Sequence, residues 1–268
     1  MPQNSTKENV IQNKKSAIRK LNSLLEFFIN DSRADHLKKA NSISYWLNIY
    51  TDYLRDEENF SPTNLIRYKR GNVIRVNFGF RPGKELGGLH FAVVLDNDNK
   101  RNADVLTVIP LSSTDRKKVH ERNVDLGSEL YEKISSKQEK LLDQAEKELT
   151  ELQTLVTTLK TARDALHNLN IEEDKTINEK INELEQTCNE CLSKQQILEK
   201  HIATLNRNSV EIKKLKIGSM AVINQITTIS KQRIYTPKYS EDFLHGVSLS
   251  SVAMDKINNK VKELYIFD

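Results

Sequence analysis

Two apolar stripes of equal length, separated by a short polar stretch, place the strongest constraint on how this chain folds. In each stripe, Leu142 to Leu166 and Ile181 to Leu205, apolar residues recur in alternating steps of three and four. Two such helices joined by a turn predict an antiparallel coiled-coil hairpin, each 25-residue stripe being about 36 Å long. Arg163 and Gln195 are polar at stripe positions and could fix the register of the pairing.

The two cysteines, Cys188 and Cys191, have the spacing of a redox or zinc motif. Both fall on the second stripe, and the chain has no second cysteine pair to complete a structural zinc site. We interpret them as core residues, and no metal or cofactor is expected. Few cysteines and a polar start without a signal peptide favour a reducing cytoplasm. No apolar run approaches the roughly 20 residues that span a bilayer, so no membrane partner is expected.

Residues 1–60 are predicted to form an N-terminal helical hairpin around the turn-forming sequence Asn30-Asp31-Ser32. The apolar positions at helical spacing are Ile18, Leu21, Leu25 and Phe28, then Ile43, Trp46, Leu47, Tyr50 and Leu54. Two amphipathic helices bury little area alone, so we expect this pair to pack on the β domain or on a partner. Trp46 and Tyr50 are interpreted as packing residues of the hairpin rather than as base-stacking residues.

Residues 65–127 and 213–268, on either side of the long hairpin at 128–212, have a β pattern. The predicted strands are Val73–Phe78, Phe91–Leu95, Val105–Leu111 and Met220–Ile229. A final helix is predicted over Val252–Leu264. Short strands at this spacing suggest a small antiparallel barrel. The long hairpin would then be an insertion into a surface loop, which loop-closure entropy tolerates.

The connection between the first two predicted strands is rich in glycine and carries chemically useful side chains. It reads Gly83-Lys84-Glu85-Leu86-Gly87-Gly88-Leu89-His90. Glycine lets the backbone approach a ligand closely. From Arg67 to Arg122 there are 12 Lys/Arg against 6 Asp/Glu, a local excess of +6 (12 − 6) that would attract phosphates. P-loop, Gly-x-Ser-x-Gly and His-Glu-x-x-His motifs are absent from the sequence, which argues against those enzyme classes.

These motifs resemble the MazF/PemK family of toxins over residues 68–126 and 216–268. The matching segments are Arg70-Gly71-Asn72-Val73, Gly83–Gly88, Phe91–Asp98, Val108–Ser113 and Gln225-Ile226-Thr227-Thr228. The resemblance implies an α+β fold with a small SH3-like antiparallel β-barrel of the CcdB/MazF type, to which this chain adds a helical hairpin and a coiled coil. It also implies a homodimer. Where that family has two arginines this chain has His90 and Thr227, and a family threonine is Ser112.

The residues of these motifs could support cleavage of RNA by its own 2′-OH without a metal. Histidine titrates near neutrality, so His90 could be a general acid or base, although a histidine opening a strand is also a common packing residue. Ser112 could donate a hydrogen bond to a phosphate oxygen. Glu85 could be a base, orient His90, or hold the loop through backbone bonds. The predicted RNA-binding residues are Arg81, Lys84, Gly87, Gly88 and Gln225.

The leading interpretation is the toxin of a type II toxin-antitoxin system. It would be a metal-independent endoribonuclease that cleaves single-stranded RNA, in which unpaired bases are accessible, and is inhibited by a separately encoded antitoxin. The alternative is a catalytically inactive MazF-like module that binds nucleic acid or protein through its coiled coil, because both family arginines are missing. A third possibility, poisoning of gyrase on DNA by analogy with proteins of the same barrel, is favoured by none of these residues.

Overall fold

The computed structural model describes residues 6–114, 119–168 and 175–266. Within these ranges the chain forms five α-helices and seven β-strands. They are α1 Lys7–Asn30, α2 Ala34–Asp56, β1 Val73–Asn77, β2 Leu89–Val94, β3 Val105–Ser113, β4 Asn123–Gly127, α3 Glu129–His167, α4 Lys175–Lys213, β5 Ser219–Val222, β6 Thr227–Ser230, β7 Ile234–Thr236 and α5 Ser251–Tyr265. This combination of helices with antiparallel strands is the α+β class predicted from the sequence.

The seven strands form one antiparallel sheet that does not close on itself. Its order is β4-β5-β3-β2-β1-β7, and β6 pairs with the first half of β3. Strands β1, β2 and β3 form a meander, with Ile74 opposite Ala92 and Val93 opposite Ile109. The single segment that contains β6 and β7 reaches both edges of this meander, because β6 pairs with β3 and β7 pairs with β1.

The prediction of one continuous strand over Met220–Ile229 is wrong. A short 3₁₀ helix at Ile223–Gln225 divides the segment into β5 and β6, which pair with different halves of β3. The physical reason is register. Ala221 pairs with Leu111 and Thr227 pairs with Val108, so this segment advances six residues where β3 advances three, and the short helix takes up the excess.

The sheet is covered by apolar side chains on both faces, because successive residues of a strand point to opposite sides. Val73 and Val93 belong to a core on one face, which α5 and the base of the α3–α4 pair cover. Ile74 and Ala92 belong to a core on the other face, together with Tyr68 and neighbouring residues. This two-sided burial explains why the predicted strands appeared as continuous apolar runs.

Helices α3 and α4 form a long antiparallel hairpin between β4 and β5. Each helix has 39 residues and is therefore about 58 Å long, longer than the predicted stripes. Beyond the midpoint of the hairpin from the sheet, Val156 packs with Cys188 and Cys191, which are free and buried. The interpretation of the cysteines as core residues is therefore confirmed. The predicted turn at residues 169–174 lies outside the described residues.

The polar residue that links the two long helices is Gln138, not Arg163 or Gln195. The buried Gln138 amide donates to the Leu205 carbonyl at 2.7 Å and to the Ser209 hydroxyl at 3.3 Å. The side chains of Arg163 and Gln195 bond to acidic residues of their own helices instead. A bond that crosses between helices favours one register over another, so Gln138 is a further candidate for this role, and the register role of Arg163 and Gln195 stays a prediction.

Helices α1 and α2 form the predicted N-terminal pair, with a turn at the expected residues. Phe28, Ala40 and Ile43 are buried between the helices, and Phe80 from the sheet domain packs on the same cluster. Trp46 lies against Gly79 instead of filling the space between the helices: a Cβ at Gly79 would come within 2.6 Å of the indole ring. The expected packing of this pair on the β domain is therefore observed. No described helix is long and apolar enough to cross a membrane.

Candidate functional site

The glycine-rich loop between β1 and β2 is closed by its own backbone. The Gly88 amide donates to the Gly79 carbonyl at 2.7 Å, and the Phe78 amide donates to the Gly88 carbonyl at 2.8 Å. Gly88 has a φ of +85°, and a Cβ on Gly87 would lie 2.6 Å from the Gly79 carbonyl oxygen. Both positions therefore require glycine for the loop itself. The closed loop fixes where β2, and with it His90, begins.

Gln225 holds this loop from the other side. Its side-chain amide donates to the Lys84 carbonyl at 3.0 Å, and its side-chain oxygen accepts from the Leu86 amide at 2.5 Å. Both ends of the side chain are thus engaged with loop backbone. The structure therefore shows that Gln225 holds the loop, and its direct contact with RNA stays a prediction.

The charged residues of the loop lie in two places: two at its exposed tip, and Arg81 beside a cavity between the loop and α2. Lys84 and Glu85 are exposed at the tip. Glu85 is not among the residues that line the cavity beside His90, so the structure does not bring its carboxylate to the imidazole. Arg81 lies further back, with its guanidinium 5.5 Å from the centre of the Phe78 ring.

His90 and Ser112 line the same cavity, which has a volume of about 180 Å³. We call it the His90 cavity; its lining includes Arg75, His90, Phe91, Ser112, Tyr131 and Lys216. Strands β2 and β3 supply the imidazole and the hydroxyl, and the base of the α3–α4 hairpin supplies Tyr131 and Lys216. Within the described residues no carboxylate lines this cavity, and no group of three or more His, Cys, Asp or Glu could hold a metal.

The surroundings of His90 keep its imidazole neutral at neutral pH. Burial is the largest cause and lowers its pKa below the usual 6.5. Hydrogen bonds with the backbone of Gly87 and Leu111 act in the opposite direction, and the positive charge of Arg75 lowers the pKa further. A neutral imidazole can accept a proton, so His90 is better prepared to act as a base than as an acid.

Arg75 is a residue of the site that the sequence analysis did not single out. Its guanidinium lies 5.7 Å from the centre of the Phe91 ring and 5.7 Å from that of Tyr235. Alternation along β1 places Arg75 on one face with Val73, but the neighbour that it meets depends on the pairing of β1 with β2 and β7. Only the register of these strand pairs could have revealed that Arg75 belongs to the site, and the local sequence of β1 does not specify that register.

A larger cavity of about 580 Å³ lies between α2 and the glycine-rich loop. We call it the aromatic groove; its lining includes Tyr45, Trp46, Tyr53, Arg81, Leu89 and Tyr235. Arg233, outside the lining, lies with its guanidinium 5.5 Å from the centre of the Trp46 ring and donates to the Asn77 carbonyl at 3.0 Å. Burial and the nearby Arg81 lower the pKa of Arg233. Of the RNA-binding residues predicted from the sequence, Arg81, Gly87 and Gly88 line this groove.

The fold and its sites define a mixed helix–sheet protein with a basic cavity at the start of β2 and the end of β3. Comparison with protein families shows that residues 69–184 match the model of the PemK-like, MazF-like toxin of type II toxin-antitoxin systems. Residues 69–184 are therefore similar to a PemK/MazF-like toxin domain. The match covers less than half of the 268 residues; it ends within α4, and the resemblance of residues 216–268 stays a prediction. Comparison with curated proteins gives no match.

Proposed function

We propose that the protein is the toxin of a type II toxin-antitoxin system and a metal-independent endoribonuclease, with its active site in the His90 cavity. One observation carries the proposal: the cavity combines an imidazole that burial keeps neutral, the hydroxyl of Ser112 and the cationic side chains of Arg75 and Lys216. These are the groups that phosphodiester cleavage by an internal hydroxyl needs.

In the proposed reaction His90 accepts the proton of the 2′-OH. The 2′-oxygen then bonds to phosphorus as the bond from phosphorus to the 5′-oxygen breaks, giving a 2′,3′-cyclic phosphate and a 5′-hydroxyl. The imidazolium formed in the first step can return its proton to the departing 5′-oxygen. Arg75 and Lys216 offset the negative charge on the phosphate, and Ser112 donates a hydrogen bond to a non-bridging oxygen. Glu85 takes no part in this scheme.

The substrate is proposed to be single-stranded RNA, because both cavities are too narrow for a duplex and suit splayed, unpaired bases. We further infer that a separately encoded antitoxin inhibits the protein in the cytoplasm and that the toxin acts as a homodimer. The strand pairing of β6 and β7 with both edges of the meander supports an SH3-like barrel. The repeated three- and four-residue steps support coiled-coil packing of α3 on α4.

The decisive experiment is incubation of the purified protein with mixed single-stranded RNA, with and without a chelator. Cleavage that resists the chelator is expected, together with a loss of about 10²-fold or more in His90→Ala. The matched control is His201→Ala, which changes an exposed histidine on α4 and should cleave like the native protein. Full activity of His90→Ala would exclude the imidazole from the chemistry.

A second candidate function is a binding module without catalysis. It is favoured by the absence of both family arginines, since His90 and Thr227 occupy those positions. The α3–α4 hairpin would then be the main interaction surface. Tight binding of RNA without products in the same incubation would establish this function in place of the nuclease.

A further inference from the structure

We propose that the aromatic groove binds an unpaired nucleobase of the RNA strand, next to the nucleotide whose phosphate lies in the His90 cavity. This inference rests on the proposed function and adds to it a substrate subsite. Helix α2 supplies much of its wall, although α2 lies outside the segment that matches the toxin family. The N-terminal helices would thus help to select the substrate.

The rings in the groove form an exposed, rigid surface of the kind on which bases stack. The ring centres of Trp46 and Tyr53, which both line the groove, are 6.2 Å apart, and Tyr50 outside the lining supports Trp46 at 5.6 Å. Gly79 packs against the indole where no other residue would fit, which fixes the ring in place. Tyr45 is 67% exposed at the mouth of the groove. Stacking on such rings tolerates any base, since every base has a π face.

The charges around the groove suit a polyanionic strand. Arg81 lines it and Arg233 lies next to Trp46, whereas no Asp or Glu is found among its described lining residues. The positive charge of the Arg233 guanidinium next to the Trp46 ring also favours stacking of an electron-rich base on that ring. An acidic lining would instead have repelled phosphates.

The groove and the His90 cavity share a wall. Leu89 lines both, and it directly precedes His90 in β2. Arg75, in the His90 cavity, contacts the ring of Tyr235, which belongs to the groove. A strand whose phosphate lies beside His90 can therefore place an adjacent base in the groove without leaving the protein surface. This continuity favours the substrate over a separate small molecule as the occupant.

The test uses a 2′-O-methyl single-stranded oligonucleotide, which lacks the attacking hydroxyl and therefore binds without being cleaved. Trp46 is the only tryptophan of the chain, so its fluorescence reports on the groove alone. We expect saturable quenching by the single strand and none by the same strand annealed to its complement. Tyr45→Ala should weaken binding, measured by anisotropy, about fivefold or more. Tyr239→Ala, which removes another exposed ring (57% against 67% for Tyr45) outside the groove, should leave the affinity unchanged.

The outcomes separate this inference from the proposed function. Binding and cleavage of RNA with unchanged Trp46 fluorescence and unchanged affinity in Tyr45→Ala would overturn the inference and leave the nuclease intact. No binding of RNA by the native protein would overturn both. If Tyr45→Ala keeps its RNA affinity but halves the mass found by sedimentation, the groove is an interface between two copies, and the inference is also overturned.

Discussion

The sheet domain and the α3–α4 hairpin achieve stability in opposite ways. In the sheet, residues such as Leu106, Val93 and Ile109 are 0% exposed, because strands and helices enclose them from both faces. In the hairpin the interior is a single seam between two helices, and buried residues such as Val156 and Leu205 recur only at intervals. The sheet domain depends on contacts between residues distant in sequence, whereas the hairpin depends on a local repeat.

The same contrast explains where the proposed active site lies. Enclosure by many elements lets the sheet domain bring an imidazole, a hydroxyl and cations to one cavity. A two-helix seam has no such interior, and its charged residues face solvent. Among the described residues, the hairpin contributes to the His90 cavity only at its base, through Leu130 and Tyr131 of α3, and Leu215 and Lys216 follow the end of α4.

The largest difference between the two regions should appear when one leucine is truncated in each. Leu106→Ala should lower the free energy of unfolding by about 4–5 kcal/mol, because the enclosed site cannot collapse. Leu205→Ala should cost only about 2–3 kcal/mol, because two helices can move together and fill the space. Urea denaturation followed by circular dichroism measures both. Equal losses would show that the hairpin interior is as rigid as the sheet core.

Gly79 connects the sheet to α2, and its replacement should be costly. Gly79→Ala must place a Cβ 2.6 Å from the Trp46 ring at a φ of +74°, so we expect a loss of more than about 2 kcal/mol and a shift in Trp46 emission. Gly83→Ala is the matched control: its φ is +63° but nothing lies within 4 Å. It should cost about 1–2 kcal/mol, from the backbone alone. Identical melting curves for the two variants would contradict the packing of Trp46 on Gly79.

His90 of the sheet domain should give the cleavage reaction a distinctive pH dependence. Because the pKa of His90 is lowered from 6.5, its basic form predominates at neutral pH and is lost only as the pH falls through the lowered value. The rate should therefore be flat near pH 7 and fall about tenfold per pH unit below that pKa. A titration of the imidazole by NMR supplies the midpoint. A midpoint above 6.5 would contradict the role of burial.

The smallest effect should come from the polar contact within the hairpin. Gln138→Ala removes the bond between α3 and α4 and should cost about 1 kcal/mol. Gln195→Ala removes only a bond to Glu199 on the same exposed surface and should change stability by less than about 0.5 kcal/mol. Thermal unfolding of the two variants side by side tests this. A larger loss for Gln195→Ala would favour that residue for the register role.

The features that the sequence could predict are those with a local cause. The repeat from Leu142 to Leu166 has the period of a helix and needs no knowledge of distant residues. The apolar run of β3, bounded by turn residues, is likewise local. The glycine pair of the β1–β2 loop was correctly singled out, although its structural reason, the close approach of Gly79 to Gly87, was not visible.

The features that escaped prediction depend on contacts between distant segments. The engagement of Gln225 with the loop at Lys84 and Leu86 joins residues about 140 positions apart in the chain. Arg75 lies in the site because of the register of β1 with its neighbours, and Trp46 contacts Gly79 because α2 packs on the sheet. Glu85 failed as a predicted partner of His90 because the loop closes at Gly88 and leaves its tip in solvent. In each case proximity in sequence did not determine proximity in space.

The pairing of Gly127 with Ser219 has a consequence for how the molecule could be reduced. These residues face each other where β4 ends and β5 begins, so the chain leaves the sheet and re-enters it at the same rung. In the topology of the sheet, the α3–α4 segment is the connection between the two strands of a β-hairpin, β4 and β5. A shortened protein that keeps Leu130, Ile134 and Ile212, which complete the core, and joins the helices just beyond them would retain every strand pairing. We therefore expect the sheet to need only the part of the α3–α4 hairpin nearest to it, which is the start of α3 and the end of α4.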